Sequence, residues 1–125
     1  MRSSAMALIA VVACVASCNG RDAVREEAVT LTGGDPDKGM AAIGRYGCGS
    51  CHDIPGIRSA RGTVARRSEG LPPAPNLAGR LSNTLANTMQ WIQHPQHVER
   101  GTTMPEMNVT VDDARDITAF LYTLR

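Results

Sequence analysis

Cys48-Gly49-Ser50-Cys51-His52 is the segment of this 125-residue chain best equipped to do chemistry. Two thiols three positions apart can reach the two vinyl groups on one edge of a porphyrin and form thioethers there. The histidine that follows then swings under the ring and offers its imidazole to the iron. Other chemistries use some of the same residues. A thiol–disulfide redox pair also has C-x-x-C spacing, but in a βαβ setting, and this glycine-broken sequence reads as largely helical. A structural zinc site needs two more ligands, which His94 and His97, the remaining histidines, would supply as H-x-x-H. A plain disulfide suits an oxidising compartment. Covalent attachment of one haem c through Cys48 and Cys51, with His52 on the iron, is the leading expectation, and the other three stand as alternatives.

The elements that must position this segment are helices. Asp35-Pro36 carries a capping side chain followed by proline at the first helical position, so a helix is predicted to start there. Met40, Ile43 and Tyr46 or Gly47 follow at helical spacing. Gly39 costs that helix about 1 kcal/mol relative to alanine, which points to a close helix crossing. A middle helix is predicted over Leu85 to Gln93, capped by Thr84 and stopped by Pro95. Thr110-Val111-Asp112-Asp113 opens a last helix, with Val109 placed to staple onto Ala114. Its expected buried stripe is Ala114, Ile117, Thr118, Leu121 and Leu124. The fold class expected is all-α.

Composition agrees with a core built around something other than side chains. One Trp, one Phe and two Tyr are few for a domain of this size, and 12 glycines with 7 prolines imply long loops. Such a chain has difficulty burying enough apolar surface, which a large flat cofactor would relieve; a marginal or partly disordered domain is the alternative. The net charge is +1, from 13 basic and 12 acidic residues. Near neutrality argues against a nucleic-acid partner, which normally meets a strong basic excess.

The first residues read as a leader. Arg2 precedes an apolar run from Ala5 to Ala16, too short to span a bilayer as a helix and of signal-peptide length. Val15-Ala16-Ser17-Cys18 resembles a bacterial lipobox, which implies cleavage before Cys18, acylation of its thiol and amine, and a stable membrane anchor. An ordinary cleaved signal with a chance cysteine is the alternative. The expected organisation is a signal peptide over 1–17, a membrane-proximal tether over 18–34 and one domain over 35–125. Residues 19–34 are polar and show no apolar period, hence the tether.

From Gly34 to Leu124 the order of marks resembles a class I cytochrome c: Gly39 and Ile43, the Cys48-Gly49-Ser50-Cys51-His52 motif, Pro75-Asn76-Leu77, Trp91 before Pro95, Gly101-Thr102-Thr103-Met104-Pro105, and Ala119-Phe120-Leu121. The resemblance implies N- and C-terminal helices crossing over the haem, with Gly39 and Ile43 against Phe120 and Leu121. It also implies a second axial ligand from a late loop. Met104 suits that role, because Gly101 permits the turn and Pro105 holds its predecessor extended. Met107 is the runner-up, whereas Met40 and Met89 sit at helical spacing and read as core filler. A bis-histidine site through His94 or His97 is the other alternative. By the same resemblance the Pro75 carbonyl accepts the Nδ1–H of His52, and Trp91 lines the pocket, reaching a propionate or simply packing.

The implied function is single-electron transfer between redox protein partners in an exported, periplasmic or cell-surface setting. No nucleophile–base pair or phosphate loop is present, so neither a catalytic residue nor a small-molecule substrate is assigned. Alternatives are a haem subunit or accessory of a larger respiratory complex, or a peroxidase or gas-binding haem protein with a labile sixth position. Arg58, Arg61, Arg66 and Arg67 mark a loop to which the resemblance assigns no role. A solvated loop is its simplest reading, and contact with propionates or an acidic partner the other.

Overall fold

The computed structural model describes residues 20–65, 76–77 and 79–124. These residues are mostly helical. Helix α1 covers residues 20–32, α2 is Pro36–Arg45, a 3-10 turn is Cys48–Ser50, α3 is Leu85–Gln93, α4 is Pro95–Val98 and α5 is Val111–Tyr122. Two strands of two residues each, β1 (Asn76–Leu77) and β2 (Leu81–Ser82), form an antiparallel hairpin in the register Asn76 to Ser82 and Leu77 to Leu81.

The helix starts follow the capping chemistry of the sequence. The Asp35 carboxylate accepts from the backbone N–H of Asp37 and Lys38, with Pro36 at the first helical position. Thr84 accepts from Asn87 N–H at the head of α3, and Thr110 from Asp113 N–H at the head of α5. A cap of this kind contributes about 1 kcal/mol. Pro95 ends α3 as expected and also begins α4, since proline is well suited to a first helical position.

The α2–α5 crossing organises the domain. At its centre Gly39 lies against the backbone of Asp116 and Ile117. The crossing is therefore about one turn earlier on α5 than the expected contact with Phe120 and Leu121. Side chains clasp both ends. Asp35 N–H donates to Asp116 Oδ1 at 2.8 Å. At the other end the Tyr46 hydroxyl donates to Asp113 Oδ2 at 2.8 Å and Arg45 Nη2 to Asp113 Oδ1 at 2.7 Å. Ala42, Ile43, Ile54, Ala60, Ile92, Val109, Ala114, Ile117, Phe120 and Leu121 form the buried core around this crossing.

Three expectations are corrected. Residues 20–32 of the segment read as a tether are helical and docked: Ala28 is fully buried, Thr32 nearly so, and Arg25 pairs with both carboxylate oxygens of Asp37 at 3.1 and 2.5 Å. Ala28 and Thr32 stand four apart on one face, but they are too small to create a visible hydropathy period. Gly33, with φ of 66°, ends the helix as a left-handed residue. Met40 is not core filler, because it is 41% exposed; the buried face of α2 is Pro36, Gly39, Ala42 and Ile43. The buried part of α5 is broader than one stripe, taking in Ala119, Phe120 and Tyr122 as well. Ala119 meets the Gly34 turn and the Phe120 ring lies beside Gly56, so two segments outside α2 cover its other sides.

Candidate functional site

Gly47, with φ of 69°, terminates α2 and redirects the chain into the 3-10 turn. Within that turn Ser50 N–H donates to Gly47 O, and Cys51 and His52 N–H both donate to Cys48 O at 3.2 and 3.0 Å. Cys48 opens this turn and Cys51 is its C-cap, so one turn of backbone separates the two thiols. Both thiols are free and half-buried. Cys48 packs against the core. A cavity of about 280 Å³ beside the turn, lined in part by Ile43, Ile57, Gly47, Gly49 and Ala60, adds an apolar surface to this neighbourhood.

The arginine-containing loop turns out to brace this motif. Gly62 N–H is shared between Gly49 O and His52 O, each at 3.1 Å, and Ala65 N–H donates to Cys51 O at 3.0 Å. Asp53 and Arg61 form an antiparallel bridge, and Ile54 N–H donates to Ala60 O. Two close approaches make this possible: a Cβ on Gly62 would stand 2.3 Å from the Cys51 carbonyl carbon, and one on Gly49 would stand 2.7 Å from the Ala60 Cα. Residues 53–65 are thus laid along the Cys48–His52 backbone, while Arg58 and Arg61 are exposed. Arg66 and Arg67 lie outside the described residues. Nothing in the spacing of Gly49 and Gly62 signalled this contact, since it depends on where the loop returns.

Burial pushes the Cys48 thiol above its ordinary range, offset in part by its backbone N–H and reinforced by the neighbouring Cys51. Reactive C-x-x-C pairs show the opposite, a lowered thiol pKa. Among the described residues the sheet is the two-strand antiparallel hairpin, so the βαβ setting of such pairs is not seen there either.

Met104 lies half-buried in the loop after α4, which turns at Gly101 with φ of 82°. The loop is gripped by Gln96 of α4. Its Nε2 donates to Thr102 O at 2.8 Å and Met104 O at 2.9 Å, its Oε1 accepts from Gly101 N–H at 3.3 Å, and its own N–H donates to Glu106 Oε1 at 3.1 Å. Met104 N–H is directed to Thr102 Oγ1 at 3.4 Å. Gln96 went unnoticed in the sequence, where it is one polar residue after Pro95. Met107 and Met89 pack against the core. Trp91 is half-buried on α3, next to the buried Ile92.

His94 and His97 are exposed and stack on one another, with ring centroids 5.4 Å apart. The His94 Nδ1 lies 3.7 Å from a Glu106 carboxylate oxygen. Among the described residues no three His, Cys, Asp or Glu side chains converge as a metal ion would require, so this histidine pair is not gathered with Cys48 and Cys51. Pro75 and Cys18 lie outside the described residues, as does the leader. No described helix is long and apolar enough to cross a membrane. Comparison with known protein families, curated proteins and solved structures gives no match to this chain.

Proposed function

We propose that this chain is a small monohaem c-type cytochrome that carries single electrons between redox protein partners, with haem c bonded to Cys48 and Cys51 and ligated by His52 and Met104. The Cys48–His52 turn is the observation that carries the reading: two thiols outside any disulfide, one opening a 3-10 turn and the other at its C-cap, followed at once by an imidazole. The donor set suits the group. Thiols form the thioethers, an imidazole binds the iron, and the half-buried thioether of Met104 sits on a separate loop. Met107 is already used by the core, which favours Met104 over it. When bound, haem c supplies a reversible one-electron ferric–ferrous couple.

The chain's own part is to hold and shield. The 53–65 loop fixes the backbone that presents Cys48, Cys51 and His52, and packing of Cys48 on the core limits water on that side. By resemblance, α2 and α5 are the crossing helices of a cytochrome c fold, Pro75 accepts from His52, and Trp91 lines the pocket. Export and anchoring through acylated Cys18 complete the proposal.

Expression in a host equipped to attach haem tests it. Haem should stay on the wild-type chain through acid denaturation and solvent extraction, and should be released or absent in Cys48→Ala/Cys51→Ala. A wild-type chain with no covalently retained haem overturns the reading. Intact mass of the protein from native membranes should show acyl chains on Cys18. A bare cysteine there removes the anchor and leaves the cytochrome reading standing.

A further inference from the structure

We propose that Gln96 is the positioning residue for Met104, setting how firmly the thioether holds the iron. The inference rests on the reading of Met104 as sixth ligand and deepens it. One carboxamide makes three hydrogen bonds to the loop backbone: Nε2 to the carbonyls of Thr102 and Met104, and Oε1 from Gly101 N–H. The backbone N–H of the same residue takes Glu106 Oε1 on the far side of Pro105. Residues 101–106 therefore wrap around one point on α4. Gln96 is anchored in turn, because α4 begins at the buried Pro95 directly after α3. The loop's other described holds lie mostly to either side of Met104: Thr102 N–H donates to Glu99 O at 3.1 Å, Glu106 stands 3.7 Å from His94, and Met107 packs on the core. The loop backbone is irregular between Gly101, at φ 82°, and Asn108, at φ 55°. A thioether is a weak donor to ferric iron, so its hold depends on how little the loop must be ordered on binding. The Met104 carbonyl bond acts on the ligand residue's own backbone, which makes Gln96 more than a general loop brace.

The test uses ferric holoprotein and cyanide as the competing ligand. Gln96→Glu keeps an acceptor for Gly101 N–H, but loses both donors and sets a carboxylate against two carbonyls; Gln96→Ala removes all three bonds. Both variants should bind cyanide about tenfold or more tightly than wild type, the size of effect expected from losing one or two hydrogen bonds that favour the closed loop. The weak far-red sulfur-to-iron absorption should disappear at lower cyanide in both, and Gln96→Glu should be at least as affected as Gln96→Ala. A purely structural role would lower the melting temperature and leave cyanide affinity at the wild-type value. That result overturns the inference. Met104→Ala, measured alongside, separates the two levels: if it retains the wild-type far-red absorption, the ligand reading itself fails and the inference with it. If it loses the absorption while both Gln96 variants match wild type, only the inference fails.

Discussion

Gly39 and Asp116 meet backbone to backbone: a Cβ added to Gly39 would stand 2.0 Å from the Asp116 carbonyl oxygen and 2.5 Å from its carbon. Neither atom can yield without moving α5. The expected outcome for Gly39→Ala is a loss of about 1–3 kcal/mol or more by chemical denaturation, the usual size of an overpacked contact. Gly44, in the same helix, has nothing within 4 Å of its Cβ position. Gly44→Ala should therefore stabilise by about 0.4–1 kcal/mol through the unfolded chain. Equal effects at the two glycines would show that helix propensity, and not the crossing, governs both.

Acid stability should depend on Asp113. The Tyr46 hydroxyl, more than any other neighbour, holds the Asp113 carboxyl below its ordinary range, with Thr110 and Arg45 adding to the effect and desolvation opposing it. A carboxyl lowered in the folded state contributes stability that is present above the ordinary aspartate value of about 3.9 and lost as pH falls through the lowered one. Asp113→Asn should melt below wild type at neutral pH, and the gap should close as pH falls through the lowered carboxyl value. Tyr46→Phe should behave the same way with a smaller gap. Melting curves across that range check it, and a gap that persists at low pH would contradict it.

The proposed methionine ligation separates two residues three apart. Met104→Ala should abolish the far-red absorption of the ferric holoprotein and lower its reduction potential, because thioether sulfur favours ferrous iron. Met107→Ala should retain that absorption and cost about 1–2 kcal/mol, less than a fully buried methionine would. Loss of the band in Met107→Ala alone would move the ligand three residues along the chain. Its absence from wild type would return His94 and His97 as candidates.

The helices around the site were legible because their ends carry strong local chemistry. Asp35-Pro36, Thr84 and Thr110 bracket α2, α3 and α5 through bonds within a few residues of each cap. Gly39 announced a close crossing by its cost in a helix, although its partner residue depended on the packing angle. Helix α1 was missed because Ala28 and Thr32 bury through small side chains, and its ion pair joins Arg25 to a residue twelve positions away. The Cys48–His52 segment stood out as five consecutive residues. Its brace did not, since Gly62 finds Gly49 and His52 only after the loop has closed. The grip of Gln96 on the Met104 loop was hidden for the same reason: amide side chains bonded to backbone leave no pattern in sequence.

The two clasps of the α2–α5 crossing join residues far apart in the chain, Asp35 with Asp116 across 81 positions and Tyr46 with Asp113 across 67. Contacts of such separation require closure of most of the chain before they return any free energy, and they slow folding accordingly. Until α5 has been synthesised, Gly39 lacks the Asp116 and Ile117 backbone it lies against. A growing chain would thus keep the crossing beside the Cys48–His52 segment open until α5 has been made. That leaves an interval in which Cys48 is accessible to modification before the core it packs against has closed.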